Sequence, residues 1–333
     1  MQELWVWVAF NLLILVFLAV DLGVFHREPH AIGVKEAGIW SAIWIALSLV
    51  FNYGVYQVLG TETGLEFLTG YLIEKSLSVD NIFVFVLIFS YFGVPREYQH
   101  RVLFWGILGA LIMRGTLIAA GAFLIHRFDW IFYVFGAFLV ATAIRMATQD
   151  EHDVEPEANP VIGLVRRLVP ISRNYAGPQF FVREPIGRAG ATRLVATPLL
   201  VVLIMVETTD LIFALDSIPA IFGITSDPFI VYSSNVFAIL GLRALYFLLA
   251  GVIERFEYLK YGLALILGFV GFKMLLEDLI HVPILTSLAV IAGVLTASIV
   301  LSLVLEPPRP TAASPTAGPS GPEPGPGDSP DDI

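Results

Sequence analysis

The 333-residue sequence contains no cysteine. That absence excludes a disulfide framework, a thiolate metal site and a cysteine nucleophile, and it leaves the redox compartment unread. Charge is scarce too. Only 14% of residues are charged and 57% are hydrophobic, where a soluble domain carries roughly a quarter charged residues. The net charge is −10 and no basic cluster is interleaved with aromatics, so the chain does not read as a nucleic-acid binder. It has no G-x-x-x-x-G-K-[ST] run, which argues against ATP drive within the chain. None of the six histidines (His26, His30, His100, His126, His152, His281) falls in the middle of an apolar stretch.

Long apolar runs dominate what is present. A spanning helix needs about 20 mostly apolar residues. Nine stretches qualify, at roughly 4–25, 38–59, 66–92, 102–124, 129–148, 196–222, 228–251, 258–280 and 282–305. The fold class is therefore all-α, a polytopic membrane protein of about nine transmembrane helices. The first stretch is too long for a cleaved signal peptide and lacks a basic start. All six tryptophans (Trp5, Trp7, Trp40, Trp44, Trp105, Trp130) lie near stretch starts, where an interfacial aromatic belt places them.

With the N-terminus outside, thirteen loop and tail cations fall inside and only Arg127 outside. The positive-inside rule then puts the C-terminus in the cytoplasm. Residues 1–305 form the transmembrane domain, interrupted by a long cytoplasmic loop at 149–195. Six arginines of that loop (Arg166, Arg167, Arg173, Arg183, Arg188, Arg193) serve as an orientation signal or as a contact for anionic lipid. The last 28 residues, 306–333, hold five acids and nine of the 20 prolines. Such a segment cannot bury a core and reads as a disordered tail.

The chain also repeats weakly. Glu74-Lys-Ser-Leu-Ser-Val-Asp80-Asn81 aligns with Asp210-Leu-Ile-Phe-Ala-Leu-Asp216-Ser217 at an offset of 136. Arg127-Phe-Asp-Trp130 aligns with Arg255-Phe-Glu-Tyr258 at an offset of 128, as do Tyr133 with Tyr261 and Arg145-Met146 with Lys273-Met274. The unit is three spans, the third to fifth and then the sixth to eighth. An odd number inverts the second unit in the membrane, as in many secondary transporters with a midplane site between repeats.

Six acids lie within the stretches: Asp21, Glu74, Asp80, Glu207, Asp210 and Asp216. Each costs about 2.5–3.5 kcal/mol at a helix centre on insertion scales. Four bases lie in or near spans: Lys75, Arg114, Arg243 and Lys273. Ion pairing that fixes the bundle suits the bases. An ion or proton pathway suits the acids. Acids six apart point about 120° away from each other on one helix. Convergence at one ion therefore needs either pairing across the repeats, Asp80 with Asp216, or local unwinding near Pro219. Carboxylates, amides and hydroxyls are hard oxygen ligands, suited to Mn²⁺, Mg²⁺ or Ca²⁺. Clustered carboxylates also hold protons.

These motifs resemble the TerC family of bacterial membrane proteins. So do Asp21-Leu-Gly-Val-Phe-His-Arg and Ser234-Asn-Val-Phe-Ala-Ile-Leu-Gly-Leu-Arg243-Ala-Leu-Tyr-Phe. The resemblance covers roughly residues 1–305. It implies a link to tellurite resistance, to manganese export and to metal loading of secreted enzymes. It further implies a metal path through Glu74, Asp80, Asn81, Asp210, Asp216 and Ser217. Asp21, Lys75, Glu207, Arg114 and Arg243 are additional path or ion-pair positions. Tellurite is an anion, which carboxylates repel, so the acids favour a cation.

The function expected is a non-enzymatic secondary transporter in the bacterial inner membrane. It exports a divalent metal, Mn²⁺ first, in exchange for protons, with no prosthetic group. The alternative is a membrane scaffold or metal-delivery protein in tellurite or metal stress, meeting protein partners through its cytoplasmic loop or tail. An intramembrane aspartic hydrolase is the least supported class.

Overall fold

The computed structural model describes residues 4–25, 33–148, 163, 170–172, 174–186, 191–251 and 258–305, with the backbone alone at 21–25, 185, 186 and 191. The proline-rich tail at 306–333, most of 149–169 and the Asp21 side chain lie outside these residues. Ten helices and one hairpin make up the described chain. They are α1 (Leu4–Phe25), α2 (Val34–Leu59), α3 (Thr61–Tyr91), α4 (Arg96–Arg127), α5 (Trp130–Thr148), β1 (Phe181–Ile186), β2 (Ala191–Ala196), α6 (Pro198–Phe222), α7 (Pro228–Leu240), α8 (Leu242–Leu249), α9 (Leu259–Leu275) and α10 (Ile284–Val304).

The architecture is that of an all-α polytopic membrane protein. Five helices (α2, α4, α5, α6 and α10) are each long and apolar enough to cross a bilayer, and the pair α7–α8, bent by 40° at Gly241, makes a sixth crossing if taken as one span. Two of the nine expected spans, α3 and α9, depart from that standard. Helix α3 carries Glu62, Glu66, Glu74, Lys75 and Asp80. Helix α9 is 17 residues long. Helix α1 runs Leu4–Phe25, and its described side chains, Leu4–Val20, are apolar apart from Asn11.

Burial is arranged as a membrane solvent dictates. Large apolar side chains such as Val50, Val58, Ile144, Leu285 and Leu303 stand exposed on α2, α5 and α10, where hydrocarbon rather than water would meet them. Polar and charged side chains are held inside, on α3, α4, α6 and α7. Nearly all of α7 is buried. An aromatic cluster of Phe10, Phe51, Phe67, Phe229 and Phe237 packs α1 and α2 onto α3 and α7, with ring centroids 4.8–6.2 Å apart. Tyr232 on α7 donates to Asn11 Oδ1 on α1 at 2.8 Å.

Joints and crossings use glycine where a side chain would not fit. Gly60, the single residue between α2 and α3, has φ +99°, a conformation that L side chains rarely adopt. Helices α5 and α9 cross at Gly136 and Gly271. A Cβ built on Gly271 would sit 2.8 Å from the Gly136 carbonyl oxygen, and one on Gly136 would sit 3.0 Å from the Gly271 oxygen. This is the close backbone approach that small residues permit in membrane bundles. Helix α7 starts on Pro228, with Asp227 Oδ1 accepting from the Phe229 amide at 2.9 Å, a regular helix start.

The loop at 149–195 contains structure that the sequence reading did not anticipate. Strands β1 and β2 pair antiparallel, Phe181 opposite Ala196 through Ile186 opposite Ala191. The hairpin base is fastened to the helix ends. The Arg101 guanidinium lies 5.2 Å from the Phe180 ring centre, and the Tyr175 hydroxyl donates to the Phe92 carbonyl at 2.7 Å. Burial raises the Tyr175 phenol above its ordinary pKa. The α3–α4 turn, the hairpin and the start of α6 therefore share one end of the molecule.

Candidate functional site

Glu74, Arg114 and Asp210 lie near the middles of α3, α4 and α6. Along these helices, hydroxyl side chains bond to carbonyls one turn back, Ser78 to Glu74, Thr208 to Ile204 and Thr209 to Met205. Such bonds satisfy hydroxyls without a partner helix. The charged groups instead bond across helices.

Arg114 is 2% exposed, Glu74 0% and Asp210 3%. The guanidinium grips Asp210 with two parallel bonds, Nε to Oδ2 at 3.0 Å and Nη2 to Oδ1 at 2.8 Å. This fork geometry is the strong form of the arginine–carboxylate pair. Nη1 donates to Glu74 Oε1 and also approaches Asn235 Oδ1 at 3.4 Å and Ser217 Oγ at 3.5 Å. Asn235 Nδ2 donates to Glu74 Oε2 at 2.9 Å. Two carboxylates from α3 and α6 thus share one cation from α4, closed in by an amide from α7 and a hydroxyl from α6. One guanidinium thus serves two carboxyl groups.

The remaining expected site residues divide by position. Asn81 is buried two turns after Glu74 on the same face of α3, and its Oδ1 has no hydrogen-bond partner among the described residues. Glu207 lies one turn before Asp210, against Gly109 of α4, and its Oε2 likewise has no hydrogen-bond partner among the described residues. Asp216 faces α5 instead, where the Thr142 hydroxyl donates to it at 3.0 Å. Asp80 is half-buried on α3. What the structure joins across α3 and α6 is Glu74 and Asp210, through Arg114. Among the described residues, no three Asp, Glu, His or Cys side chains form a group that could hold a metal ion.

Two of the other intramembrane bases, Lys75 and Arg243, are also engaged. Lys75 Nζ approaches the Ala238 carbonyl at 3.4 Å, near the C-terminal end of α7, where cations are favoured. Arg243 on α8 meets His100 Nε2 on α4 at 2.9 Å. A cavity between these parts is walled by Phe85, Leu103, Ile107 and Val206, and Asp210 and Arg243 are its charged lining residues.

Asn235 was not assigned to the site from sequence. The available signal is its place in Ser233-Ser234-Asn235, a polar triplet inside the apolar run of α7. Thr142 carried no such signal, since its role depends on α5 packing against α6.

Fold and site together define a polytopic α-helical membrane protein with a buried, charged centre built from several helices. Residues 59–309 match the family described as integral membrane protein TerC family, and the chain belongs to it. It is 52% identical over 306 residues to a membrane protein of Myxococcus xanthus, STKORF319, covering 92% of this chain and 94% of that one. It is 48% identical over 305 residues to Alx of Escherichia coli K12, named for a proposed role as a membrane-bound redox modulator, covering 89% and 93%. A Rickettsia bellii membrane protein is 39% identical over 298 residues, covering 90% and 97%. No solved structure matches the chain significantly.

Proposed function

We propose that the protein is a secondary transporter that exports a hard divalent cation, Mn²⁺ first, from the cytoplasm in exchange for protons. The observation that carries this reading is the fully buried oxygen-rich constellation of Glu74, Asp210, Ser217 and Asn235 in mid-helix. Intramembrane acids at such depth mark ion pathways. The transporter uses no enzymatic step and no prosthetic group. Asp80, Asn81, Asp216 and Glu207 extend the path along α3 and α6.

The reading includes nine spans, an N-terminus outside, a cytoplasmic C-terminus and a bacterial inner membrane. It also includes an inverted repeat of α3–α5 with α6–α9. Helix pairing supports the repeat. Like packs on like, α3 with α6 and α5 with α9, while α3 packs on α7 and α4 on α6 in exchange. A two-fold axis in the membrane plane would produce this pairing, with Glu74 and Asp210 as counterparts beside it. The name of the Alx relatives raises redox modulation, but a thiol-based redox role is closed to a chain without cysteine.

The deciding measurement is Mn²⁺ uptake into everted vesicles under an imposed pH gradient, with Ca²⁺ and Mg²⁺ alongside. Gradient-driven Mn²⁺ movement that disappears in Asp210→Asn is expected. Its absence from well-folded wild-type protein would turn the reading toward a metal-delivery scaffold.

A further inference from the structure

Resting on the transport reading, we propose that Arg114 is a tethered stand-in for the transported cation: it fills the carboxylate site of the empty carrier, and the incoming divalent ion displaces it.

Five oxygen atoms face the guanidinium: Glu74 Oε1, Asp210 Oδ1 and Oδ2, Ser217 Oγ and Asn235 Oδ1. All come from buried side chains. Without a cation among them, two carboxylates would be left uncompensated in a low-dielectric interior. With a divalent ion in place of the guanidinium, the same oxygens are the hard carboxylate, amide and hydroxyl donors that Mn²⁺, Mg²⁺ and Ca²⁺ prefer. The arginine therefore occupies what would otherwise be a cation site.

An independent observation points the same way. Asn81 Oδ1 and Glu207 Oε2 are buried oxygens with no hydrogen-bond partner among the described residues. One shares a helix face with Glu74 and the other with Asp210. Buried acceptors are normally satisfied, and a passing cation satisfies both.

Displacement also needs a direction for Arg114 to take. A helical side chain leans toward the N-terminus of its helix. One and two turns back along α4 lie Ala110 and Gly106, which line the cavity beside Asp210; at about 10 Å³ it holds no more than one water, so a guanidinium enters it only as the lining parts. The carboxylate of Glu207 sits against Gly109 on the same stretch, where a Cβ would collide with it. A guanidinium swung in this direction leaves Glu74, stays beside Asp210 and gains Glu207 as a second carboxylate. Charge is then redistributed within the site rather than exposed to lipid.

The test is Mn²⁺ binding to the full-length protein in detergent, by calorimetry and by Mn²⁺-dependent thermal shift, for wild type, R114Q and R114K. Removing an internal competitor lowers the apparent Kd by a factor equal to the fraction of time that the site was free. R114Q should bind Mn²⁺ about tenfold tighter or more and show a larger thermal shift with Mn²⁺. Gradient-driven Mn²⁺ movement should fall to background, because the empty carrier loses its neutralising charge. R114K, a point charge without the fork, should fold, bind with intermediate affinity and retain some transport. If R114Q has no folded form without metal, R114K carries the test. Binding by either variant that is unchanged or weaker, while wild type binds, overturns the inference and leaves the transport reading standing. No binding or movement of Mn²⁺, Ca²⁺ or Mg²⁺ by any form overturns both.

Discussion

Two carboxylates around one guanidinium set the energetics of individual substitutions. Asp210→Ala would leave Arg114 buried with half its bonds, and breaking such a pair costs about 3–5 kcal/mol. A matching fall in the thermal unfolding midpoint in detergent is expected. Asp216→Ala, which removes one hydrogen bond to a half-buried group, should cost about 1 kcal/mol and leave a folded protein. Asp80→Ala should likewise fold and lose Mn²⁺ movement. Full-rate transport by the Asp80 variant would remove that residue from the path. Glu74 and Asp210 stand out in the sequence because charge is rare in an apolar run. Their shared hold on Arg114 does not, since the partners are 40 and 96 residues away along the chain. Only the packing of α3, α4 and α6 brings them together.

Helices obey different constraints. The apolar runs are legible from composition, since a stretch of about 20 apolar residues has few other uses. The break at Gly241 is not, because apolar residues flank it directly on both sides, Ile239-Leu240 and Leu242. The hairpin at 181–196 is equally hidden, because Arg183, Glu184 and Arg193 give its strands a loop-like composition. The α5–α9 crossing yields a direct prediction. Gly271→Ala places a methyl group 2.8 Å from the Gly136 carbonyl, and overpacking of this kind costs about 1–3 kcal/mol. Gly293→Ala, where a Cβ meets nothing within 4 Å, is the control and should leave the midpoint unchanged or slightly raised.

For the whole molecule, side and boundary are the open variables. A reporter fused after residue 305 should be active on the cytoplasmic side, and one fused ahead of α1 on the outer side. The reverse pattern would overturn the orientation drawn from loop cations. Deleting residues 307–333 should leave vesicle Mn²⁺ uptake at the wild-type rate, since the proposed path lies wholly within α3 to α7. Loss of uptake would give the tail a part in function and favour the scaffold reading.

The Gly136–Gly271 crossing also constrains how such a carrier could work. Helices α5 and α9 belong to opposite halves of the proposed repeat, yet at Gly136 and Gly271 they meet backbone to backbone, with Val140, Met274 and Leu275 packed around the contact. A seam of that kind slides poorly and parts only at the loss of its whole contact. The two halves are then pinned along one edge, as a book is by its spine. Access to Glu74 and Asp210 must open away from that spine, where the broken α7–α8 span and the Arg243 cavity lie.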